Sequence, residues 1–514
     1  MHKLSSVARA TFLLASLFFV DKILAFARAI IIARQFSLSV ELDSFNIANN
    51  LPDLLFALIS GGALAMAFIP VLTGTLTLKG REAFWDLFSR IANLAFVSTA
   101  ALAVLIAIFS EQIVRSQIGI APGFGPEQQA LVAQLMRLNL IATLIFSLSG
   151  LVMAGLQANQ HFLLPALAPI FYNLGQLFGA LVLAPSQPVS LGPITLPAFG
   201  FGVYGLVYGV ILGAALHLAI QIPGLVLYKF HWTPKLEVKS EGVREVLWVL
   251  GPRLLTVFII QLTFVARDNF ASRLNQVGAV SSLTYGWMIM QVPETLLGTA
   301  IATALLPTLA QRAAMGDWTK FREMVERAVR VLVALTLPVA VAMAIAIRPL
   351  LQVAFGFNEA QTDLLATTAT VYLFTLTGYA VQEVLVRAFY ARKEAWVPLW
   401  SVLIRLGVYI GLAAFSLTFL PSPGAPALAF CEMAVTVEAV VLLIWLNRRL
   451  APPIGARDAL LRGGAAGLLG AVAGLGAAAL LPVSPLLAAL AGMIAAGLVS
   501  IPFILPYLRQ LVRL

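Results

Sequence analysis

The sequence predicts an all-α polytopic membrane protein of about fourteen transmembrane helices, arranged as two six-helix lobes plus two C-terminal helices. Three observations carry this. Of 514 residues, 60% are hydrophobic and 11% charged, against about 25% charged in a typical soluble domain. Leu138–Tyr228 holds no Asp, Glu, Lys or Arg, and at ~20 residues per crossing that stretch must contain several spans. The basic residues, placed on alternate sides of the spans, fall almost entirely on one side.

The apolar windows run at 8–35, 44–75, 84–110, 128–157, 160–184, 199–228 and 241–273, then 279–313, 322–355, 360–392, 395–420, 424–449, 456–481 and 484–510. The runs are continuous, whereas β-barrel strands alternate in short segments, so helices that satisfy their own backbone are the expected form. The first window resembles a signal peptide in outline but carries Asp21, Lys22 and Arg28 and lacks a convincing cleavage site, so it reads as an uncleaved span. The last two windows lie in the uncharged stretch Gly463–Leu508, divided by Pro-Val-Ser-Pro at Pro482–Pro485. The single cysteine, Cys431, excludes an intramolecular disulfide.

Orientation follows from charge. With alternating sides, 23 basic residues collect on one side and four (Arg34, Arg115, Arg273 and Arg348) on the other. The positive-inside rule then places both termini in the cytoplasm. The net charge of +10 is thereby explained by topology and contact with membrane lipids, not by nucleic acid.

A duplication sets the lobes. LPDLLFALISGGALAMAFIPVL (Leu51–Leu72) and VPETLLGTAIATALLPTL (Val292–Leu309) share an order of proline, acid, leucine-rich stretch, small residues and second proline. They occupy spans two and eight, six apart and so in the same orientation. The expected division is 1–230, 231–452 and 453–514: two parallel bundles, then two extra helices. Pro52, Pro70, Pro293 and Pro307 sit inside helical windows, where they free carbonyls and permit bending.

Charges within spans are candidate functional residues because each costs about 2.5–3.5 kcal/mol at mid-bilayer on insertion scales. Asp21 and Arg28 lie seven apart on one face of the first helix, with Lys22 pointing elsewhere. Lys22 and Arg28 are candidates to line a cavity; a packing salt bridge is the alternative. Asp43 opens the second helix, as a dipole-complementing acid or a substrate-handling one. Arg267–Asp268 either snorkel or pair, Glu383 and Arg387 have the spacing of a helix pair, and Asp268, Glu432 and Glu438 are candidates for a coupling proton or cation. Arg137, Arg253 and Arg405 have no role readable from spacing. No nucleotide fingerprint or metal-ligand spacing appears, and the four histidines are scattered. No cofactor is expected, and active transport would draw on the membrane potential or a monovalent cation.

The stretch FARAIIIARQFSLSVELDSFNIANNLPDLL (Phe26–Leu55) resembles the opening of MurJ-type lipid II flippases, the mouse-virulence-factor family of the multidrug/oligosaccharidyl-lipid/polysaccharide exporter superfamily. AFIPVL (Ala67–Leu72), PALAPIFYN (Pro165–Asn173), HLAIQIPGL (His217–Leu225), ALLPTL (Ala304–Leu309) and RAFYARKEAWVP (Arg387–Pro398) extend it in order. The resemblance implies a central cationic cavity between the lobes and a groove for the polyprenyl tail on helices thirteen and fourteen. It also implies movement of an undecaprenyl-diphosphate-linked muropeptide, a cell-wall (peptidoglycan) precursor, to the outer leaflet of the bacterial inner membrane, with cell-wall synthases as further partners and no enzymatic step. By position Lys22, Arg28 and Asp43 are similar to the family's functional residues. Phe56-Ala57 and Trp287-Met288 stand where the family's pattern has Arg-Arg and Asp-Arg, and Gln291 where it has an acid. Arg253 and Arg267 are the candidate replacements. A different cargo is the alternative: another polyprenyl-linked glycan, or an amphipathic drug moved by cation antiport. A non-transporting scaffold is disfavoured, because it has no need of mid-bilayer cations.

Overall fold

The structure, a computed structural model, describes residues 6–59, 62–237 and 241–511. Lys3, Lys239 and Arg513, and the side chains of Arg9, Pro70 and Arg253, lie outside what it describes. Twelve helices among the described residues are long and apolar enough to cross a membrane, from Val71–Ile108 to Pro485–Gln510. They coincide in order with the third to fourteenth windows. The chain divides into two compact units, Met1–Val265 and Ala266–Leu514.

The first unit opens with α1 (Ser6–Phe36), α2 (Val40–Ala48), α3 (Asn50–Ile59) and α4 (Gly62–Ile108). The second window is therefore not one continuous helix. It starts at Val40, where Ser39 caps the helix by accepting the Leu42 N–H (3.2 Å), and α2 gives way to α3 at Asn49. Gly80, with φ 81°, breaks α4 inside the 76–83 connection expected between spans two and three. A residue with a Cβ is strained there; glycine is not.

Then come α5 (Ser110–Arg115), α6 (Pro126–Ala158), α7 (Leu163–Phe178), a hairpin of β1 (Val189–Leu191) and β2 (Ile194–Leu196), α8 (Val203–Ala219) and α9 (Ile222–Leu227). α6 is the hub, packing on α2, α3, α4 and α8, while α7 packs on α1 and α8. Glycines let α7, and the π-helical turn Gly179–Leu183 that continues it, meet α8 closely: a Cβ on Gly175 would stand 2.4 Å from Gly213 Cα, and one on Gly179 2.6 Å from Gly209 Cα. Small residues suit membrane helix contacts because lipid provides no hydrophobic drive to bring helices together, leaving close packing to do it.

The extended segment after α9 is strapped along α4. Trp85 Nε1 donates to Tyr228 O (3.0 Å), and Asn93 Nδ2 donates to Thr233 O (2.8 Å) and Lys235 O (3.1 Å). Trp232 Nε1 donates back to Asn93 Oδ1 (2.7 Å), and Arg90 pairs with Asp86 (2.7 Å) and Glu237. Phe230 packs edge-on to Trp85 and Phe88.

The second unit begins with the end of α10 (Glu241–Ser272), then α11 (Ala279–Glu294), α12 (Ala300–Ala314), α13 (Trp318–Phe355), α14 (Glu359–Ala391), α15 (Trp396–Phe419), α16 (Ala425–Cys431), α17 (Ala434–Asn447), α18 (Arg457–Leu480) and α19 (Pro485–Leu511). A π-helical turn at Thr295–Thr299 follows Pro293 and joins α11 to α12. α13 is the hub here, packing on α14, α18 and α19. Gly356, left-handed at φ 67°, ends it, and Asn358 starts α14 by accepting the Gln361 N–H (2.9 Å). Leu468, Val472 and Leu480 stay exposed on α18, the pattern of a face turned to lipid.

Gly209→Val is expected to overpack the α7–α8 crossing and lower stability by about 1–3 kcal/mol, read as a depressed thermal midpoint in detergent. Gly411→Ala, where an added Cβ meets nothing within 4 Å, should leave that midpoint unchanged or raise it.

Candidate functional site

Among the described residues, each unit holds a polar cluster in its apolar interior that gathers charges from within the spans. In the first, α1 and α7 are joined by a side-chain amide. Arg28 Nη1 donates to Asn173 Oδ1 (2.8 Å), and Asn173 Nδ2 donates to Asp21 Oδ1 (2.8 Å) and to Pro169 O (3.2 Å). Asp21 and Asn173 are buried and Arg28 is half-buried. Asp21 and Arg28 thus share a face, as their spacing predicts, yet are bridged by a neutral group and not by a direct ion pair. Lys22 Nζ stands 3.8 Å from Asp21 Oδ2 with its side chain 80% exposed. Asp53, on α3, and Tyr172, beside Asn173, are within electrostatic reach of Arg28.

An aromatic and polar relay flanks this cluster. Phe56 meets Phe146 edge-on (centroids 4.9 Å apart), and Phe146 in turn meets Tyr172 (5.0 Å) and His217 (5.4 Å). His217 Nδ1 bonds Ser149 Oγ (2.6 Å), which also accepts from Gln221 Nε2 (2.9 Å). Phe56 therefore does no anion binding; it extends an apolar wall. Asp43 is buried in the first turn of α2 behind the Ser39 cap, so its carboxylate adds to the favourable end of the helix dipole without being the cap.

In the second unit the charges close on themselves. Arg405 Nη2 donates to Tyr379 Oη (2.5 Å) and to Glu432 Oε2 (3.1 Å), and Tyr379 Oη donates to the same Glu432 oxygen (2.7 Å). The Arg405 guanidinium also lies over the Tyr379 ring, 4.9 Å from its centroid. Glu438 accepts from Ser401 Oγ (2.9 Å) and stands 3.9 Å from Arg405 Nη1. Arg267 Nε donates to its neighbour Asp268 (2.8 Å), so the two pair instead of snorkelling. Tyr372 and Tyr409 lie within electrostatic reach of both Arg267 and Glu432, linking the pairs. Trp287 packs edge-on against Tyr379 (4.9 Å) and Tyr372 (6.0 Å).

The structure gathers Lys22 and Arg28 in one unit, and Arg267, Asp268, Glu432 and Glu438 in the other. Arg253 is outside the described side chains. Arg387 pairs with Glu383 at the expected spacing, and Arg137 with Glu111 (3.4 Å). Asn173, Asp53 and Tyr172 in the first cluster, and Tyr372, Tyr379 and Tyr409 in the second, escaped the sequence reading. Tyrosines seven apart on α14 were an available signal, whereas Asn173 is one of three asparagines, with Asn139 and Asn159, in the charge-free stretch and nothing in composition singles it out.

Comparison with known proteins places this architecture. A family model described as lipid II flippase MurJ matches residues 32–501. The lipid II flippase MurJ of Burkholderia cenocepacia is 28% identical over 451 residues, covering 86% of this chain and 84% of that protein. A solved structure described as lipid II flippase MurJ in an inward closed conformation is similar with a TM-score of 0.76 at 18% identity, covering 98% of this chain and 100% of that one. An inward-facing multidrug resistance MATE family transporter of the MOP superfamily is similar with a TM-score of 0.71 at 15% identity, covering 84% of this chain and 94% of the other. At these identities the structural likenesses establish the fold.

Arg405→Ala would strand two buried carboxylates, and breaking a buried pair in this way costs about 3–5 kcal/mol. Denaturation of the purified variant should show a loss of that order. Glu432→Gln should lose less, since its amide oxygen still accepts from Tyr379 and Arg405.

Proposed function

The chain belongs to the lipid II flippase MurJ family, and from that premise we propose that it carries lipid II, an undecaprenyl-diphosphate-linked muropeptide, from the cytoplasmic to the outer leaflet of the bacterial inner membrane by alternating access. One observation carries the assignment of the anion-binding role. The half-buried Arg28 guanidinium takes a neutral amide as its hydrogen-bond partner, so its hydrogen bonding does not cancel its charge. A guanidinium binds phosphate oxygens in a planar, bidentate way, which suits a diphosphate. We assign Lys22, exposed beside Asp21, as an accessory cation, and keep Asp43 and Arg253 as further candidates for substrate binding. Arg267 belongs to the closed second cluster and fits a structural role better than cargo contact.

No nucleotide fingerprint appears in the sequence, so the energy source we infer is the membrane potential or a monovalent cation. Glu438 is the candidate coupling group, because the described cluster counts Arg267 and Arg405 against Asp268, Glu432 and Glu438, an excess of one carboxylate. Both termini are assigned to the cytoplasm on the charge distribution, and cell-wall synthases are the partners that receive the flipped precursor.

Phe56 and Trp287 favour a second reading. They put aromatic walls where cations were expected, which suits another polyprenyl-linked glycan or an amphipathic drug. Complementation of a flippase-depleted bacterial strain separates the two. The wild-type chain should restore growth, and Arg28→Ala, inserted at the same level, should not. Failure of the inserted wild type to rescue would exclude lipid II as cargo; rescue by Arg28→Ala would remove Arg28 from the transport path.

A further inference from the structure

We propose that Asn173 is the positioning residue for Arg28: its side-chain amide, steered by Asp21, sets the direction in which the guanidinium presents its remaining donors to a phosphate-bearing cargo. The inference rests on the lipid-diphosphate reading above.

Asp21 and Arg28 are roughly 10.5 Å apart along α1, at 1.5 Å per residue. Asn173 reaches both from α7. An amide is suited to this place because it has an acceptor end and a donor end. Oδ1 faces the guanidinium and Nδ2 faces the carboxylate, so the flanking charges fix which way round the amide sits. The reversed amide would set Nδ2 against Arg28 and Oδ1 against Asp21, a clash at both ends. The second Nδ2 contact, to Pro169 O (3.2 Å), holds the amide to its own helix. Asn173 is 4% exposed, and in such a medium directional bonds to charged groups strengthen.

A guanidinium carries several N–H donors in a rigid fork, and Asn173 accepts from one, Nη1. Holding that nitrogen restricts how the fork can turn. A carboxylate in the same place would also orient it, but would neutralise it and compete with phosphate. A neutral partner orients the cation while leaving its charge available. Asn173 is therefore assigned a role through Arg28, not contact with cargo.

Two measurements test this. The first needs no cargo: the rate at which phenylglyoxal modifies Arg28, read by peptide mass spectrometry on the full chain in lipid nanodiscs. Asn173→Ala should raise the rate about tenfold, the worth of one hydrogen bond to a charged group. Asn173→Asp should lower it below wild type, because the ion pair shields the guanidinium. A packing role alone would move both variants in the same direction, and that result, or an unchanged rate, overturns the proposal. The second is lipid II binding. Asn173→Ala should weaken it about tenfold in the wild-type background and less than about twofold in an Arg28→Ala background, the signature of residues acting through one contact. Equal losses in both backgrounds overturn the proposal. If the wild type binds no lipid II while the modification rates shift in opposite directions, the cargo assignment fails and the positioning of Arg28 stands.

Discussion

A charge carried into hydrocarbon loses its water, and the interior of this protein is arranged around recovering that loss. The recovery takes different forms in the two units. In the second, each guanidinium meets a carboxylate: Arg267 with Asp268, Arg405 with Glu432, and Tyr379 ties the latter pair together. Such pairs attract strongly in a low dielectric but offset a large desolvation cost, so their net contribution to stability is small. Their effect is on specificity of packing. Arg405 can be accommodated where Tyr379 on α14 and Glu432 beside α16 converge on it. In the first unit, Arg28 is held by an amide instead, and the carboxylate that steers the amide is on the same helix as the cation. In the second unit the buried guanidiniums give hydrogen bonds to carboxylates; in the first, Arg28 gives its hydrogen bond to a neutral amide.

Close backbone approach provides the frame for both. Asn173 sits two residues before Gly175, whose contact with Gly213 sets the distance between α7 and α8. A larger residue at either glycine would push the helices apart and shift the amide relative to α1. In the second unit, α13 plays the corresponding part: Gly463 and Gly474 on α18 leave room for Ala334 and Ile345 of α13. Packing of this kind, not apolar burial, separates buried from lipid-facing surfaces, since Leu468 and Val472 on the same helix are as apolar as anything in the core.

The long apolar runs made the third to fourteenth windows legible, and their order survives in the structure. The first window, 8–35, also matches α1 (Ser6–Phe36); the break within residues 40–59 was harder. The chain is interrupted at Asn49, and the local sign is Pro52, which has no N–H for the Ala48 carbonyl four residues before it and crowds that carbonyl. The sites were half legible. Charge within a span flagged Asp21, Arg28, Glu432 and Glu438, but helical spacing pairs residues only a turn or two apart. Arg405 finds Tyr379 26 positions away and Glu432 27 away, while Arg28 finds Asn173 145 away. Such pairings are made by tertiary packing. Asn173 escaped for a second reason: it is neutral, and a search keyed to charge passes over the group that holds one.

The strapped segment after α9 qualifies the topological reading of the basic residues. Arg90 and Lys235 belong to the basic side that orients the chain, and for that purpose their positions need only be approximate. The structure gives them definite partners: Arg90 joins Asp86 and Glu237, and Lys235 stands 3.9 Å from Asp86. These contacts run along the same face of α4 as Trp85, Ser89 and Asn93, whose side chains bond the backbone carbonyls of Tyr228, His231 and Thr233. A segment without helix or strand leaves its carbonyls in need of donors, and the polar stripe of α4 provides them. The stripe is spaced at 85, 89 and 93, one helical turn each, so an extended chain laid along the helix meets a donor at each turn. Topology explains why basic residues lie at this end of the helix. The carbonyls of the strap explain why the polar residues among them recur on one face.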